Sequence, residues 1–150
     1  MPMISPRDQE TLRQRFSQEL QGFVRLKLFT QRASQLTVPG RECRYCPQTQ
    51  QLLEELTALT PKLSLEIVDV YAQQDEVQKT GVQRIPCTIL SQDGESRLKY
   101  YGIPSGYEFA TLLEDVVALS RRENPLKPAT LQKLQRVQEE LHIQVFVTPT

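Results

Sequence analysis

Leu12, Phe16 and Leu20 recur at four-residue spacing behind Ser5 and Pro6, which predicts a helix capped by Ser5, opened by Pro6 and stopped at Gly22. The period then changes. Phe23-Val24-Arg25-Leu26-Lys27-Leu28-Phe29 reads as an apolar strand, and Leu52, Leu53, Leu56 and Leu59 return to one face of a helix. A second strand follows at Leu65-Glu66-Ile67-Val68-Asp69-Val70, so the order strand, helix, strand implies a right-handed parallel crossover. A short helix over 72–80 ends at Gly81. Cys87-Thr88-Ile89-Leu90 and Arg97-Leu98-Lys99-Tyr100-Tyr101 flank Asp93-Gly94, a hairpin signal. Phe109, Leu112, Leu113, Val116 and Val117 fall at i, i+3, i+4, i+7 and i+8, the apolar stripe of a helix over 107–120. The pattern predicts an α/β fold, a mixed central sheet flanked by helices.

Beyond residue 124 the pattern starts again. Asn124-Pro125-Leu126-Lys127-Pro128 reads as a linker, Leu131, Leu134, Val137 and Leu141 as the apolar face of a helix, and 143–147 as a strand. Helix then strand at 6–29 thus recurs at 130–147, with Lys27-Leu28-Phe29-Thr30 answering to Val145-Phe146-Val147-Thr148. We expect one unit over 1–124 and the opening of a second over 125–150. The alternative is an ordinary C-terminal helix and strand packed on a single domain.

Composition narrows the function classes. With 150 residues and 39% hydrophobic residues the chain can bury a real core, and its 18 basic and 18 acidic residues cancel. Balanced charge without a long basic run offers no footprint for nucleic acid or an anionic membrane surface. No apolar run approaches a membrane span, and no export signal precedes Arg7-Asp8-Gln9-Glu10. The expectation is the cytoplasm, where a cysteine pair is catalytic or metal-binding rather than a staple.

That pair is Cys43-Arg44-Tyr45-Cys46-Pro47, two cysteines at i and i+3 at the predicted start of the Leu52 helix. A helix N-terminus supplies unpaired N–H groups and a positive dipole end that stabilise a thiolate. Arg41 and Arg44 add to that stabilisation and Glu42 opposes it. Cys43 is the expected nucleophile, and Cys46, one turn inside, the thiol that resolves a mixed disulfide. Pro47 suits a first turn, where its missing N–H costs nothing. The competing reading is a metal knuckle. Only Cys87 and His142 could complete a zinc set, and neither belongs to a second close pair.

Pro86 stands at the head of a strand that should be central, where a proline removes a ladder hydrogen bond. Either a cis Ile85–Pro86 bond or a trans proline opening an edge strand would accommodate it. Cys87 reads as a buried apolar filler or, alternatively, a regulatory thiol. His142 reads as an exposed strand-entry residue, and Tyr100 and Tyr101 as alternate faces of one strand.

The cysteine motif, followed some forty residues on by Val82-Gln83-Arg84-Ile85-Pro86, resembles the thioredoxin and glutaredoxin superfamily. Three further runs, Lys62-Leu63-Ser64-Leu65-Glu66-Ile67-Val68-Asp69, Tyr101-Gly102-Ile103-Pro104-Ser105-Gly106-Tyr107-Glu108-Phe109 and Leu113-Glu114-Asp115-Val116-Val117, are similar to the glutaredoxin-like protein disulfide oxidoreductases. The resemblance covers about residues 20–150. It implies a thioredoxin-like fold, two such units per full chain each with its own Cys-x-x-Cys, Cys43 attacking, Cys46 resolving, and Pro86 as a cis-proline beside them. Two departures stand out: 31–42 make a longer connection before Cys43, and the chain ends before a second Cys-x-x-Cys.

The expected function is thiol–disulfide exchange with protein disulfides, without a bound cofactor, recharged by a flavoprotein of thioredoxin-reductase type. Substrate would pair along the main chain at Arg84 and Ile85, with Arg44 and Tyr45 as further contacts. A homodimer through 125–150 is a further expectation. The rival classes are a metal or iron–sulfur carrier using Cys43 and a non-catalytic docking unit.

Overall fold

The computed structural model describes residues 1–32, 40, 42–94, 98–124 and 126–146. Helix α1 (Pro6–Glu19) starts as its sequence predicts, with Pro6 at its head and the Ser5 hydroxyl accepting the Asp8 N–H at 3.2 Å. Its end differs. Leu20 is extended and Gly22 provides no left-handed cap; the Gly22 N–H donates to the Ser120 carbonyl at 3.0 Å, and an added Cβ would lie 2.9 Å from that oxygen. Close approach of two chain segments, rather than helix termination, is what requires glycine there.

Strand β1 (Val24–Thr30) lies inside a sheet of order β2-β1-β3-β4, with β2 (Leu63–Asp69), β3 (Cys87–Ser91) and β4 (Leu98–Tyr101). β1 runs parallel to β2, from Val24 opposite Leu63 to Thr30 opposite Asp69, and antiparallel to β3, where Phe29 faces Cys87. β3 and β4 pair antiparallel across the Asp93-Gly94 turn. The connection from β1 to β2 runs through α2 (Cys46–Thr57), as a parallel pair requires. Two shorter-range differences follow local chemistry. The second strand begins at Leu63, and 72–73 turn on the Asp69 carboxylate, which accepts the Tyr71 and Ala72 N–H groups at 2.9 and 3.3 Å, before α3 (Gln74–Thr80). Arg97, expected in the last strand, lies outside the described residues.

The two sheet faces are covered unequally. Val24, Leu26 and Leu28 point to the larger core, where Phe16, Leu53, Leu56 and, from α4 (Tyr107–Arg121), Leu112 and Val116 are buried. Phe29 and Val68 point the other way, into a smaller cluster with Val82, Cys87 and Ile89, partly covered by Val77 of α3. Beside that cluster Lys27 bridges Glu66 at 3.1 Å and Glu76 at 3.0 Å, joining β1, β2 and α3.

The tail departs most from expectation. The helix predicted through Leu141 is confined to α5 (Pro128–Leu134), and 141–146 form no strand; Val147 lies outside the described residues. Among the described residues no hydrogen bond or ion pair joins 126–146 to residues 1–123, and Ile143, Val145 and Phe146 are exposed. A strand needs a partner edge to satisfy its backbone groups, and 141–146 pair with neither outer strand, β2 or β4.

Candidate redox site

Because α2 carries the chain from the end of β1 back to the start of β2, its N-terminus stands where β1 ends and antiparallel β3 begins. The helix starts at Cys46, not at Cys43 as the spacing alone suggests. Proline explains the shift. The first helical bond to the Cys43 carbonyl would have to come from the N–H of residue 47, and Pro47 has none. That carbonyl instead accepts the Cys46 N–H at 3.4 Å, and the first-turn bond falls to Tyr45, whose carbonyl accepts the Thr49 N–H at 2.9 Å and its hydroxyl at 2.7 Å.

Cys43 and Cys46 form a disulfide, S–S 1.98 Å with Cα atoms 5.4 Å apart. Their environments differ. Cys46 is 1% exposed, whereas Cys43 is half-buried in the turn that precedes the helix. Between them Arg44 and Tyr45 face solvent, with the Arg44 guanidinium 5.5 Å above the Tyr45 ring. Arg41 lies outside the described residues.

Pro86 is buried, the Ile85–Pro86 bond is cis, and the Pro86 carbonyl accepts the Gly102 N–H at 2.9 Å. Since Cys87 is opposite Phe29, Pro86 lies level with Thr30 at the end of β1, at the same end of the sheet as the disulfide. Ile85 packs half-buried against the smaller core, while Arg84 is exposed with its guanidinium 5.2 Å above the Tyr101 ring. Tyr101 and Thr49 are the site residues that the pattern alone did not reveal. Thr49 was readable in principle, standing four residues after Tyr45; the Arg84–Tyr101 stack joins separate elements and leaves no local trace.

Cys87 is fully buried, and burial pushes its thiol up to about 11, against a small opposing effect of Lys99. His142 is exposed in the tail and belongs to no strand. Tyr100 and Tyr101 do take opposite faces: Tyr100 packs on the larger core and donates its hydroxyl to Asp115. Among the described residues no three His, Cys, Asp or Glu side chains are grouped to hold a metal ion. No helix there is long and apolar enough to cross a membrane.

A disulfide closing the turn before a helix, beside a cis-proline at the head of an antiparallel strand, defines the thioredoxin-like class of dithiol proteins. Residues 34–114 match the thioredoxin domain family, and the chain belongs to it. The F component of alkyl hydroperoxide reductase from Staphylococcus aureus is 24% identical over 104 residues, which are 69% of this chain and 18% of that protein. A protein disulfide oxidoreductase from Aeropyrum pernix superimposes with a TM-score of 0.72 at 22% identity, covering 88% of this chain and 54% of that one. The N-terminal domain of the alkyl hydroperoxide reductase AhpF from Enterococcus faecalis superimposes at 0.70 and 23% identity, over 87% and 58%. The chain therefore spans under a fifth of the curated relative and little more than half of these structures.

Proposed function

We propose that this unit exchanges disulfides with other proteins in the cytoplasm through Cys43 and Cys46. The observation that carries the reading is the unequal exposure of the two cysteines: Cys43 is half-buried, Cys46 sealed at the helix start. In the reduced protein the Cys43 thiolate attacks a substrate disulfide, forms a mixed disulfide and expels one substrate thiolate, which takes up a proton. Cys46 then loses its proton and attacks the Cys43 sulfur. The second substrate thiol leaves, the Cys43–Cys46 disulfide closes, and two electrons have passed to the substrate. Reduction by a flavoprotein dithiol of thioredoxin-reductase type runs the same steps backwards and recharges the pair.

The main chain at Arg84 and Ile85 supports a place for the substrate backbone. Neither residue is in a strand, and their backbone groups have no hydrogen-bond partner among the described residues, so an extended segment could pair there. The positive end of the α2 dipole favours the Cys43 thiolate.

Insulin-disulfide reduction tests the assignment. Cys43→Ser should abolish it, because the serine hydroxyl is not ionised at neutral pH, and Cys46→Ser should trap mixed disulfides visible by mass. If alkylation of the reduced protein at about pH 6 labelled Cys46 before Cys43, the roles would be reversed.

A further inference from the structure

One arginine lies between the two cysteines and another two residues before the cis-proline, and both are arranged in the same way. Arg44 lies over Tyr45 within the turn, and Arg84 lies over Tyr101 beside the cis-proline. Neither has an ion-pair or hydrogen-bond partner among the described residues. The Arg7, Arg25 and Arg136 side chains lack such a partner too but lie over no ring among the described residues, whereas Arg15 pairs with Glu19 at 2.9 Å and Arg121 donates to the Glu19 carbonyl at 2.8 Å. A guanidinium held over a ring by cation–π attraction consumes none of its N–H donors, and the fork they form fits a carboxylate. Stacking also restrains two long side chains beforehand, so less freedom is lost on binding. The rings themselves remain accessible, Tyr45 at 47% and Tyr101 at 38% exposure.

We infer that the two stacked arginines select substrate segments with acidic residues flanking the reactive disulfide. The inference rests on the exchange reaction proposed above and names its substrate class: an acidic, extended polypeptide whose carboxylates meet Arg44 and Arg84. Net charge cannot supply this preference, since basic and acidic residues balance over the chain, so it is a local property of the rim. Within 42–46 the opposing charge is Glu42, exposed just before Cys43. It repels an acidic residue on that flank.

The reduced chain of residues 1–150 is mixed with three disulfide-linked peptide dimers, identical except for aspartate, serine or lysine on both sides of the cysteine. Each rate constant is divided by that of dithiothreitol with the same dimer, which removes the effect of flanking charge on the leaving thiol. Two exposed contacts, attractive in one peptide and repulsive in the other, should favour the aspartate dimer over the lysine dimer by about ten-fold. Raising the salt to about 0.5 M, where the screening length is only a few ångströms, should shrink the ratio to about two-fold. Arg44→Glu combined with Arg84→Glu should invert the ratio whatever its absolute rate. Equal rates for aspartate and lysine, a salt-independent preference, or an aspartate preference surviving charge reversal would each overturn the inference while the serine dimer still reacts. A chain that exchanges with none of the three fails at the disulfide chemistry itself.

Discussion

Cys43 and Cys87 show how position alone divides one residue type into a reagent and a filler. Cys87 sits among Phe29, Val68, Val82 and Ile89, and burial pushes its thiol up to about 11, so it is neutral at physiological pH. A raised value on an acid means that the neutral form's contribution to stability is whole below the ordinary value of 9.0 and is lost progressively as the pH climbs from there through about 11. Cys87→Ala should therefore keep exchange within about two-fold of wild type and lower stability by about 1 kcal/mol, the ordinary effect of trimming a small core side chain. Native-state alkylation at about pH 8 should spare it. A loss of activity as large as that of Cys43→Ser would mean that a third thiol takes part.

At the scale of elements, helix α2 does more than present a disulfide. Its Glu55 carboxylate accepts the Met3 N–H at 2.8 and 2.9 Å and the Ile4 N–H at 2.9 Å, while Gln51 donates to the Met1 carbonyl at 2.7 Å, so the N-terminal segment is fastened to the redox helix. Burial pushes the Glu55 carboxyl up, but the two amides and Gln51 outweigh it and hold it below the usual glutamate value. A lowered carboxyl stabilises above the unfolded value of about 4.5 and loses that contribution as the pH falls through the folded one. The protection of the Met3 and Ile4 amides, taken relative to their intrinsic exchange rates at each pH, should fall on acidification through that window, and Glu55→Gln should abolish the step. An unchanged step in the variant would place its cause elsewhere. None of this clamp shows in periodicity, since it joins residues fifty apart. What was legible was repetitive: the Leu12/Phe16 and Leu112/Val116 stripes, the short apolar runs of β1 and β3, and the Cys-x-x-Cys spacing. The start of α2 is not legible from spacing, because a proline compatible with a first turn also deprives the Cys43 carbonyl of its helical donor. Arg84 and Tyr101 meet only across the sheet end.

For the whole molecule the open question is what residues 125–150 contribute. Their periodicity promises a helix and a strand, yet only α5 forms among the described residues, and Leu134, Val137, Leu141, Ile143, Val145 and Phe146 are all exposed. Cys43, Cys46, Pro86, the four strands and α4 precede Asn124, and no described hydrogen bond or ion pair from 126–146 reaches residues 1–123. Ending the chain at Asn124 should then leave the melting temperature within about 2 °C and insulin reduction nearly unchanged, because a surface segment without such ties adds less than about 0.5 kcal/mol. Self-association should change more. An exposed run of large apolar side chains seeks cover, and a second copy of the same segment offers it symmetrically, so sedimentation should show a dimer for the full chain and a monomer for 1–124. If the shortened chain failed to fold, 125–150 would belong to the first core and the two-unit reading would have to be abandoned. If both forms sedimented alike, the apolar tail would not be an interface between copies.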